Sequence, residues 1–110
     1  MFKEILAKST GEDNETGITS FALLPNYPNP FNPSTTIPFA VPRETDVAIS
    51  IFDISGRLIK RLISTQYPAG QHKVVWNGRS DAGIQVSSGI YFYRMKTEGF
   101  IQTRKFLLTK

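Results

Sequence analysis

The sequence predicts an all-β domain, an antiparallel sandwich of about seven short strands. Short alternating apolar runs recur at intervals of about 8–12 residues, and turn-forming residues separate them. Prolines are dense between residues 25 and 42, which excludes a helix there. No stretch requires a helix of useful length, since the helical spacing within residues 1–8 allows only one or two marginal turns.

The segment before the first long strand is rich in proline and asparagine. It reads FALLPNYPNPFNP over residues 21–33, and such a sequence imposes an extended, turn-rich path. We expect the rings of Tyr27 and Phe31 to plug into the sandwich and pin that path. Residues 35–41 then alternate, and Pro38 cannot donate a ladder hydrogen bond, which predicts that this strand lies at a sheet edge.

The clearest strand covers residues 47–54, where Val47, Ile49 and Ile51 share one face. A turn follows, with Gly56 suited to its positive φ. Residues 58–63 fit a helical stripe as well as a strand. So short a run between two turn signals favours a strand paired with its predecessor.

The connection over residues 76–93, WNGRSDAGIQVSSGIYFY, is predicted to be the structural hinge of the fold. The strand before it ends at Asn77-Gly78, a strong turn signal. Residues 89–97 form the aromatic strand that follows it, and residues 100–108 close the fold as the last strand. Together with the earlier segments, these strands complete the predicted sandwich.

Charge divides the chain near residue 20. Residues 1–20 carry two lysines against four acids, whereas residues 21–110 carry eleven lysines and arginines against five acids. We expect a flexible arm or linker over 1–20 and one folded domain over 21–110. A basic domain can bind nucleic acid, anionic glycolipid or an acidic protein, although a solubilising face explains the charge better. No aromatic and basic interleaving indicates an RNA-binding module, so no nucleic acid partner is expected.

No residue pattern indicates an enzyme or a cofactor. The chain has no cysteine and one histidine, which excludes thiolate chemistry and a two-histidine metal site. No G-x-S-x-G elbow, phosphate-binding loop or EF-hand loop occurs. Asn77 and Asp81 can contact a calcium ion, but one carboxylate is too few, and turn chemistry explains both residues better.

Three rings offer an alternative role in sugar binding. Trp76, Tyr91 and Tyr93 can form an aromatic platform if they are exposed. Rings on an alternating strand more often belong to the core, and the core placement is the expectation here. No segment approaches the ~20 apolar residues of a membrane span, so no membrane insertion is expected. We expect a monomer.

Four blocks of sequence, in order, carry a family resemblance. They are YPNPFNPSTTIPFAVP at 27–42, IFDISGRLIKRLI at 51–63, GQHKVVWNGRSDAGIQVSSGIYFYRM at 70–95 and KFLLTK at 105–110. The blocks resemble the C-terminal sorting domain of type IX secretion cargo proteins. The resemblance covers residues 21–110 in register to the last residue.

This resemblance implies an Ig-like sandwich that acts as an address and has no catalytic role. The domains of that family belong to exported proteins of Bacteroidetes-like bacteria. An outer-membrane translocon recognises them, and a sortase-like peptidase usually removes them, which leaves the cargo secreted or attached to the cell surface. The family's cleavage point corresponds to residues 9–20 here. The structural motif residues carried over by position are Asn29, Pro30, Phe31, Asn32, Pro33, Gly56, Arg57, Trp76, Asn77 and Gly78, with Asn77 in place of the commoner Asp.

The contact with the translocon is expected at the final strand. A small rigid sandwich can present that strand to a partner by strand addition, and its basic residues can steer it toward an acidic surface. The candidate recognition residues are Gly89, Tyr91, Arg104, Lys105, Phe106, Leu107, Leu108 and Lys110. The alternative is that Phe106, Leu107 and Leu108 only close the core.

Two other functions stay open. The segment over residues 76–93 also resembles the Ig-like domain of flagellar hook-capping proteins, which is structural and assembles with other subunits. A carbohydrate-binding module of a secreted hydrolase is the third candidate. The start of the chain has no signal-peptide pattern, and no cargo domain of any size precedes residue 21. We therefore expect a piece of a longer exported protein or a truncated reading frame.

Overall fold

The computed structural model describes residues 17–109, which form an all-β fold. The predicted helical turn at residues 1–8 and most of the predicted arm at 1–20 lie outside the described residues. Among residues 17–109, no helix is long and apolar enough to cross a membrane. The seven strands are β1 (Ala22–Leu23), β2 (Thr35–Val41), β3 (Thr45–Asp53), β4 (Leu58–Tyr67), β5 (Gly70–Trp76), β6 (Gly89–Thr97) and β7 (Phe100–Leu108).

The strands form two antiparallel sheets, as the sequence predicts. One sheet has the order β1-β2-β5, and the other has the order β4-β3-β6-β7. The turn between β4 and β5 and the connection over residues 77–88 each carry the chain from one sheet to the other. The fold is an Ig-like antiparallel sandwich, and the predicted fold class is confirmed.

Side-chain alternation builds the core between the two sheets. Val47, Ile49 and Ile51 of β3 are buried. In the neighbouring strand β6 of the same sheet, alternate residues also point inward, and Tyr93 and Met95 are buried among them. Burying a large apolar side chain contributes about 1.5–3 kcal/mol, so these rows are a principal source of stability. The ambiguous residues 58–63 belong to strand β4, which pairs with β3.

The prediction that β2 lies at a sheet edge is wrong. β2 lies between β1 and β5, and Pro38 is opposite Lys73 of β5. The carbonyl of Pro38 accepts a hydrogen bond from the N–H of Leu24 at 3.0 Å, immediately after the two-residue strand β1. Because N and O of one strand residue point to the same side, the missing donor of Pro38 faces the end of β1 and not β5. The β2–β5 ladder is therefore intact despite the proline.

The prediction for the two rings of the proline-rich segment is half right. Phe31 is buried, with 1% of its surface exposed, whereas Tyr27 is 52% exposed. Tyr27 pairs through its backbone with Thr36, with N–O distances of 2.9 and 2.8 Å. The main chain pins the path at this position, so the ring of Tyr27 does not need to enter the core.

Candidate recognition surface at the C-terminal strand

The last strand, β7, is an edge strand whose C-terminal end is held by the proline-rich segment. The N–H of Phe31 donates to the carbonyl of Leu107 at 3.0 Å, and the N–H of Thr109 donates to the carbonyl of Phe31 at 3.0 Å. The side chain of Asn29 accepts a hydrogen bond from the N–H of Leu107 at 3.1 Å. We call residues 29–33 the clasp, because they bind the outer side of β7 at its end.

The ring of Phe31 anchors the clasp between the two sheets. Its centroid lies 5.7 Å from that of Trp76 in β5 and 5.1 Å from that of Phe106 in β7. The indole N–H of Trp76 donates to the carbonyl of Arg79 at 2.9 Å, so the buried ring leaves no polar atom unsatisfied. One aromatic cluster therefore joins the clasp, the last strand and the end of β5.

The Asn77-Gly78 turn passes close to the clasp. Gly78 has a φ of +79°, and a Cβ on it would lie 3.2 Å from the carbonyl oxygen of Pro33. The side chain of Asn77 accepts a hydrogen bond from the N–H of Arg79 at 3.1 Å, which closes the turn locally. The asparagine and glycine are thus explained by turn geometry and by the close approach of the clasp.

The Gly56-Arg57 motif forms a separate hairpin turn between β3 and β4. One carboxylate oxygen of Asp53 accepts hydrogen bonds from the N–H of Ser55, the hydroxyl of Ser55 and the N–H of Arg57. The Ser55 hydroxyl, followed by the Arg57 N–H, lowers the pKa of Asp53 below its usual value of 3.8. Gly56 has a φ of +88°, as predicted for this turn.

The hairpin turn contributes to an open cleft of about 460 Å³ at the start of β6. Arg57, Gly89 and Tyr91 line this cleft. The hydroxyl of Tyr91 donates to the carbonyl of Ser87 at 2.6 Å. In the register of β6 and β7, Gly89 is opposite Leu108 and Tyr91 is opposite Phe106. These two candidate residues therefore support the end of β7 from inside the sheet.

The candidate recognition residues of β7 divide between the core and the surface. Phe106 and Leu108 are buried, whereas Lys105 and Leu107 are exposed. The Nε of Arg104 donates to the carbonyl of Leu23 at 2.6 Å, so this cation links the two sheets. Lys110 lies outside the described residues. Of the candidate recognition residues in β7, Lys105 and Leu107 carry the side chains that a partner can reach without disturbing the core.

The structure also locates the residues considered for calcium and sugar binding. Asp81 accepts hydrogen bonds from the N–H of Arg61 at 3.2 and 3.3 Å. Among residues 17–109, no group of three or more histidines, cysteines or acids could hold a metal ion. Trp76, Tyr91 and Tyr93 are all buried, so these rings form no exposed platform for a sugar.

Sequence reasoning missed the contacts that position the last strand. Asn29 and Leu107 are separated by 78 positions, and no local pattern indicates a hydrogen bond between them. It also missed the basic surface beside β7, where Arg94 and Lys96 of β6 lie opposite Thr103 and Ile101. In the sequence of β6, Arg94 and Lys96 alternate with the residues of the buried face, and this alternation indicates that both cations lie on the outer face.

Comparisons with known proteins agree with this architecture. Residues 33–99 match the model of the FlgD Ig-like domain family. No curated protein matches the chain. Among solved structures, the chain is similar to dimeric latent PorU from Porphyromonas gingivalis, with 21% identity, a TM-score of 0.64 and coverage of 84% of this chain and 10% of PorU.

Two further structures share the fold. PorZ, a surface component of the type IX secretion system of P. gingivalis, has 23% identity and a TM-score of 0.54, with coverage of 80% of this chain and 11% of PorZ. FlgD from P. aeruginosa has 19% identity and a TM-score of 0.57, with coverage of 81% of this chain and 68% of FlgD. The chain thus spans about a tenth of the PorU and PorZ chains. With the family model matching residues 33–99, the chain belongs to the FlgD Ig-like domain family.

Proposed function

We propose that this domain is a sorting signal that directs an exported protein through the type IX secretion system and across the outer membrane. The observation that carries the proposal is the clasp. The Pro-Asn-Pro-Phe-Asn-Pro motif of the sorting-domain resemblance contacts β7 directly, through Asn29 and Phe31. Two distant blocks of the resemblance therefore act together to hold the C-terminal strand in one place.

The proposed role is recognition without catalysis. A translocon would bind the folded sandwich at β7, and a sortase-like peptidase would cut within the arm that precedes residue 21. The cargo would pass through the periplasm and end at the cell surface or in the medium. PorZ, whose fold this domain shares, is a surface component of a type IX secretion system, and the likeness at 23% identity concerns the fold alone.

A second candidate function is structural assembly of the flagellar hook-capping type. The match to the FlgD Ig-like family and the fold shared with FlgD favour it as much as the shared fold favours sorting. The clasp is the feature on which we base our preference for sorting. The two functions differ in what the isolated domain does, because a sorting signal acts on any fused cargo, whereas an assembly domain acts through partner subunits.

Export of a fused reporter tests the proposal. Residues 21–110 are placed after a secreted reporter with a signal peptide, in a bacterium that has a type IX system. We expect the reporter in the medium or on the cell surface, and in the periplasm when the translocon gene is deleted. A reporter that stays periplasmic while a known sorting domain exports it would overturn the proposal. Restored hook assembly in a hook-cap mutant would instead favour the second function.

Point variants test the contact on β7 better than truncation does. Removal of residues 105–110 would also remove Phe106 and Leu108 from the core, so lost export would not separate recognition from folding. Lys105→Glu changes an exposed side chain of β7, and Lys73→Glu is the matched control on β5. We expect Lys105→Glu to reduce export and Lys73→Glu to leave it near the wild-type level.

A further inference from the structure

Within the part of the chain that the structure describes, the outer side of β7 is covered at its C-terminal end and open along the rest. The N–H and C=O of Leu107 point away from β6, since they bond Asn29 and Phe31. In an antiparallel pair, alternate residues point the same way, so Ile101, Thr103 and Lys105 also present their backbone groups outward. Among residues 17–109, no group forms a hydrogen bond with these outward amides and carbonyls.

Over residues 17–109, the sandwich has two other long edge strands, β4 and β5, of which β4 is covered at its start and β5 is open. On β4, the N–H of Asp81 donates to the carbonyl of Ile59 at 3.0 Å, and the carboxylate of Asp81 accepts from the N–H of Arg61. The 77–88 connection therefore covers the start of that edge. On β5, Lys73 lies opposite Pro38, whose backbone carbonyl points to β1. The backbone groups of Lys73 therefore point away from β2, so the edge of β5 is open and supplies a control.

Charge distinguishes the open edge of β7 from that of β5. Lys105 lies on the outer face of β7, and Arg94 and Lys96 lie on the same face of the neighbouring strand β6. None of the three forms an ion pair with a carboxylate of the described residues. The guanidinium of Arg94 lies 4.5 Å from the ring centroid of Phe52, which holds it on the sheet surface. The open edge of β5 carries Lys73 as its one cation.

An exposed apolar side chain lies at the other end of the open edge. Ile101 is 60% exposed, although it belongs to a regular strand. From Ile101 through Thr103 to Lys105, the outer face thus changes from apolar to polar to cationic. An added strand would place its own alternate side chains beside these three, so its sequence must be complementary to them.

We propose that an extended acidic segment of the partner adds to β7 as an antiparallel strand along residues 101–105. This inference rests on the proposed function and names the chemistry of its recognition step. Antiparallel pairing places an acidic residue beside Lys105, a polar one beside Thr103 and an apolar one beside Ile101. Read from its N-terminus, the partner segment has the pattern acidic-x-polar-x-apolar. A second copy of this chain fits less well, because it would bring its own lysines to the same edge.

Amide exchange in the full 110-residue chain tests the proposal with a capped peptide whose core is Glu-Thr-Thr-Thr-Val. At a peptide concentration ten times Kd, we expect about tenfold slower exchange at Ile101, Thr103 and Lys105. Exchange at Gln71, Lys73 and Val75 of β5 should not change. Equal protection by a Lys-Thr-Thr-Thr-Val peptide, by the reversed peptide, or at the β5 edge would overturn the proposal, as would no protection at all.

Backbone variants separate this inference from the proposed function. Thr103→Pro removes an outward N–H without removing a β6–β7 ladder bond, and Lys73→Pro does the same on β5. We expect Thr103→Pro to abolish peptide protection and reporter export, and Lys73→Pro to preserve both. Normal export of Thr103→Pro would overturn the inference and leave the sorting function standing. Absence of export for the wild-type domain would overturn the sorting function, whatever the peptide result.

A charge exchange supplies the test if Thr103→Pro does not fold. Lys105→Glu keeps the backbone edge and should reverse the preference, so that the lysine peptide protects better than the glutamate peptide by about tenfold. An unchanged preference would contradict the assignment of an acidic partner. Sedimentation of the full chain tests whether a second copy of the chain occupies the edge. A dimer that dissociates when Lys105→Glu or Thr103→Pro is introduced would overturn the proposal in favour of a second copy.

Discussion

The hydroxyl of Tyr93 donates a 2.7 Å hydrogen bond to the carbonyl of Leu24, at the rung where Pro38 has no N–H to offer. The same hydroxyl accepts a hydrogen bond from the N–H of Asn26 at 3.0 Å. A side chain of the four-stranded sheet therefore completes the ladder of the three-stranded sheet just beyond β1. This contact directs the chain from β1 into the segment that forms the clasp.

Replacement of Tyr93 by phenylalanine tests this contact. Tyr93→Phe leaves the buried N–H of Asn26 and the half-buried carbonyl of Leu24 without their partner, so we expect a loss of about 1–3 kcal/mol in the free energy of unfolding. Urea denaturation at neutral pH measures it. Tyr27→Phe is the control, since that hydroxyl belongs to an exposed ring, and should stay within about 0.5 kcal/mol of wild type. Equal losses in the two variants would contradict the assignment.

Alkaline pH gives a second measure of the same side chain. Burial raises the pKa of Tyr93 above its usual value of 10.0, against opposing effects of the Asn26 N–H and the charge of Arg104. The folded state therefore favours the neutral phenol, and its contribution to stability is lost as pH rises above about 10 toward the folded pKa. The free energy of unfolding, measured by denaturation at several pH values across this range, should fall less steeply with pH for Tyr93→Phe than for wild type. A steeper fall in the variant would be the contrary result.

Removal of the Phe31 ring, which anchors the clasp, should destabilise the fold strongly. Phe31→Ala empties the space between Trp76 and Phe106, and the expected loss is about 3–5 kcal/mol. Tyr27→Ala in the same segment removes an exposed ring and should cost far less. Hydrogen exchange adds a local measurement, because the amides of Leu107 and Thr109 should lose protection in Phe31→Ala. Retained protection there would mean that the ring does not hold the clasp.

A pair of glycines separates backbone strain from steric contact. Gly78 and Gly83 have nearly equal φ angles of +79° and +80°, but only a Cβ at Gly78 meets another atom, the carbonyl oxygen of Pro33 at 3.2 Å. Alanine at either site should cost about 1–2 kcal/mol for the left-handed backbone. Gly78→Ala should lose about 1–3 kcal/mol more, because the clasp must shift. Thermal or urea denaturation of both variants decides this, and equal losses would refute the close approach.

Acid pH tests the β3–β4 turn. The pKa of Asp53 is lowered in the folded state, so its contribution to stability is present above the unfolded pKa and is lost as pH falls below about 4 through the folded pKa. Asp53→Asn should remove this part of the acid sensitivity, and Ser55→Ala should remove some of it, because the Ser55 hydroxyl is the largest cause of the shift. Denaturation midpoints between pH 5 and pH 2 provide the measurement. Identical acid profiles for wild type and Asp53→Asn would contradict the prediction.

The strands and their buried faces were predictable because alternation is local. The rows Val47, Ile49, Ile51 and Tyr91, Tyr93, Met95 occupy the core as their period of two requires. The turns at Gly56 and Gly78 are equally predictable from the sequence, since a positive φ favours glycine whatever surrounds the turn. Local alternation also predicts the last strand, with the same bounds that the structure gives it.

The positions of Pro38 and Tyr27 could not be obtained in this way. A proline removes one donor, but only the neighbouring strand decides whether that donor is needed, and here the side with the missing donor meets Leu24 and Tyr93. Tyr27 and Phe31 carry similar rings in one proline-rich segment. Whether a ring enters the core depends on the path of the main chain across both sheets, which the local sequence does not specify.

An all-β sandwich, its turns and a basic domain follow from local periodicity and composition, which the amino-acid sequence contains. Which part of β7 is covered and which is open depends on contacts between distant segments. The bond between Asn29 and Leu107 spans 78 positions, and the open backbone at Ile101, Thr103 and Lys105 is defined by the place where that contact ends. A binding edge is a property of neighbouring strands in space, so it becomes visible only when both sheets are assembled.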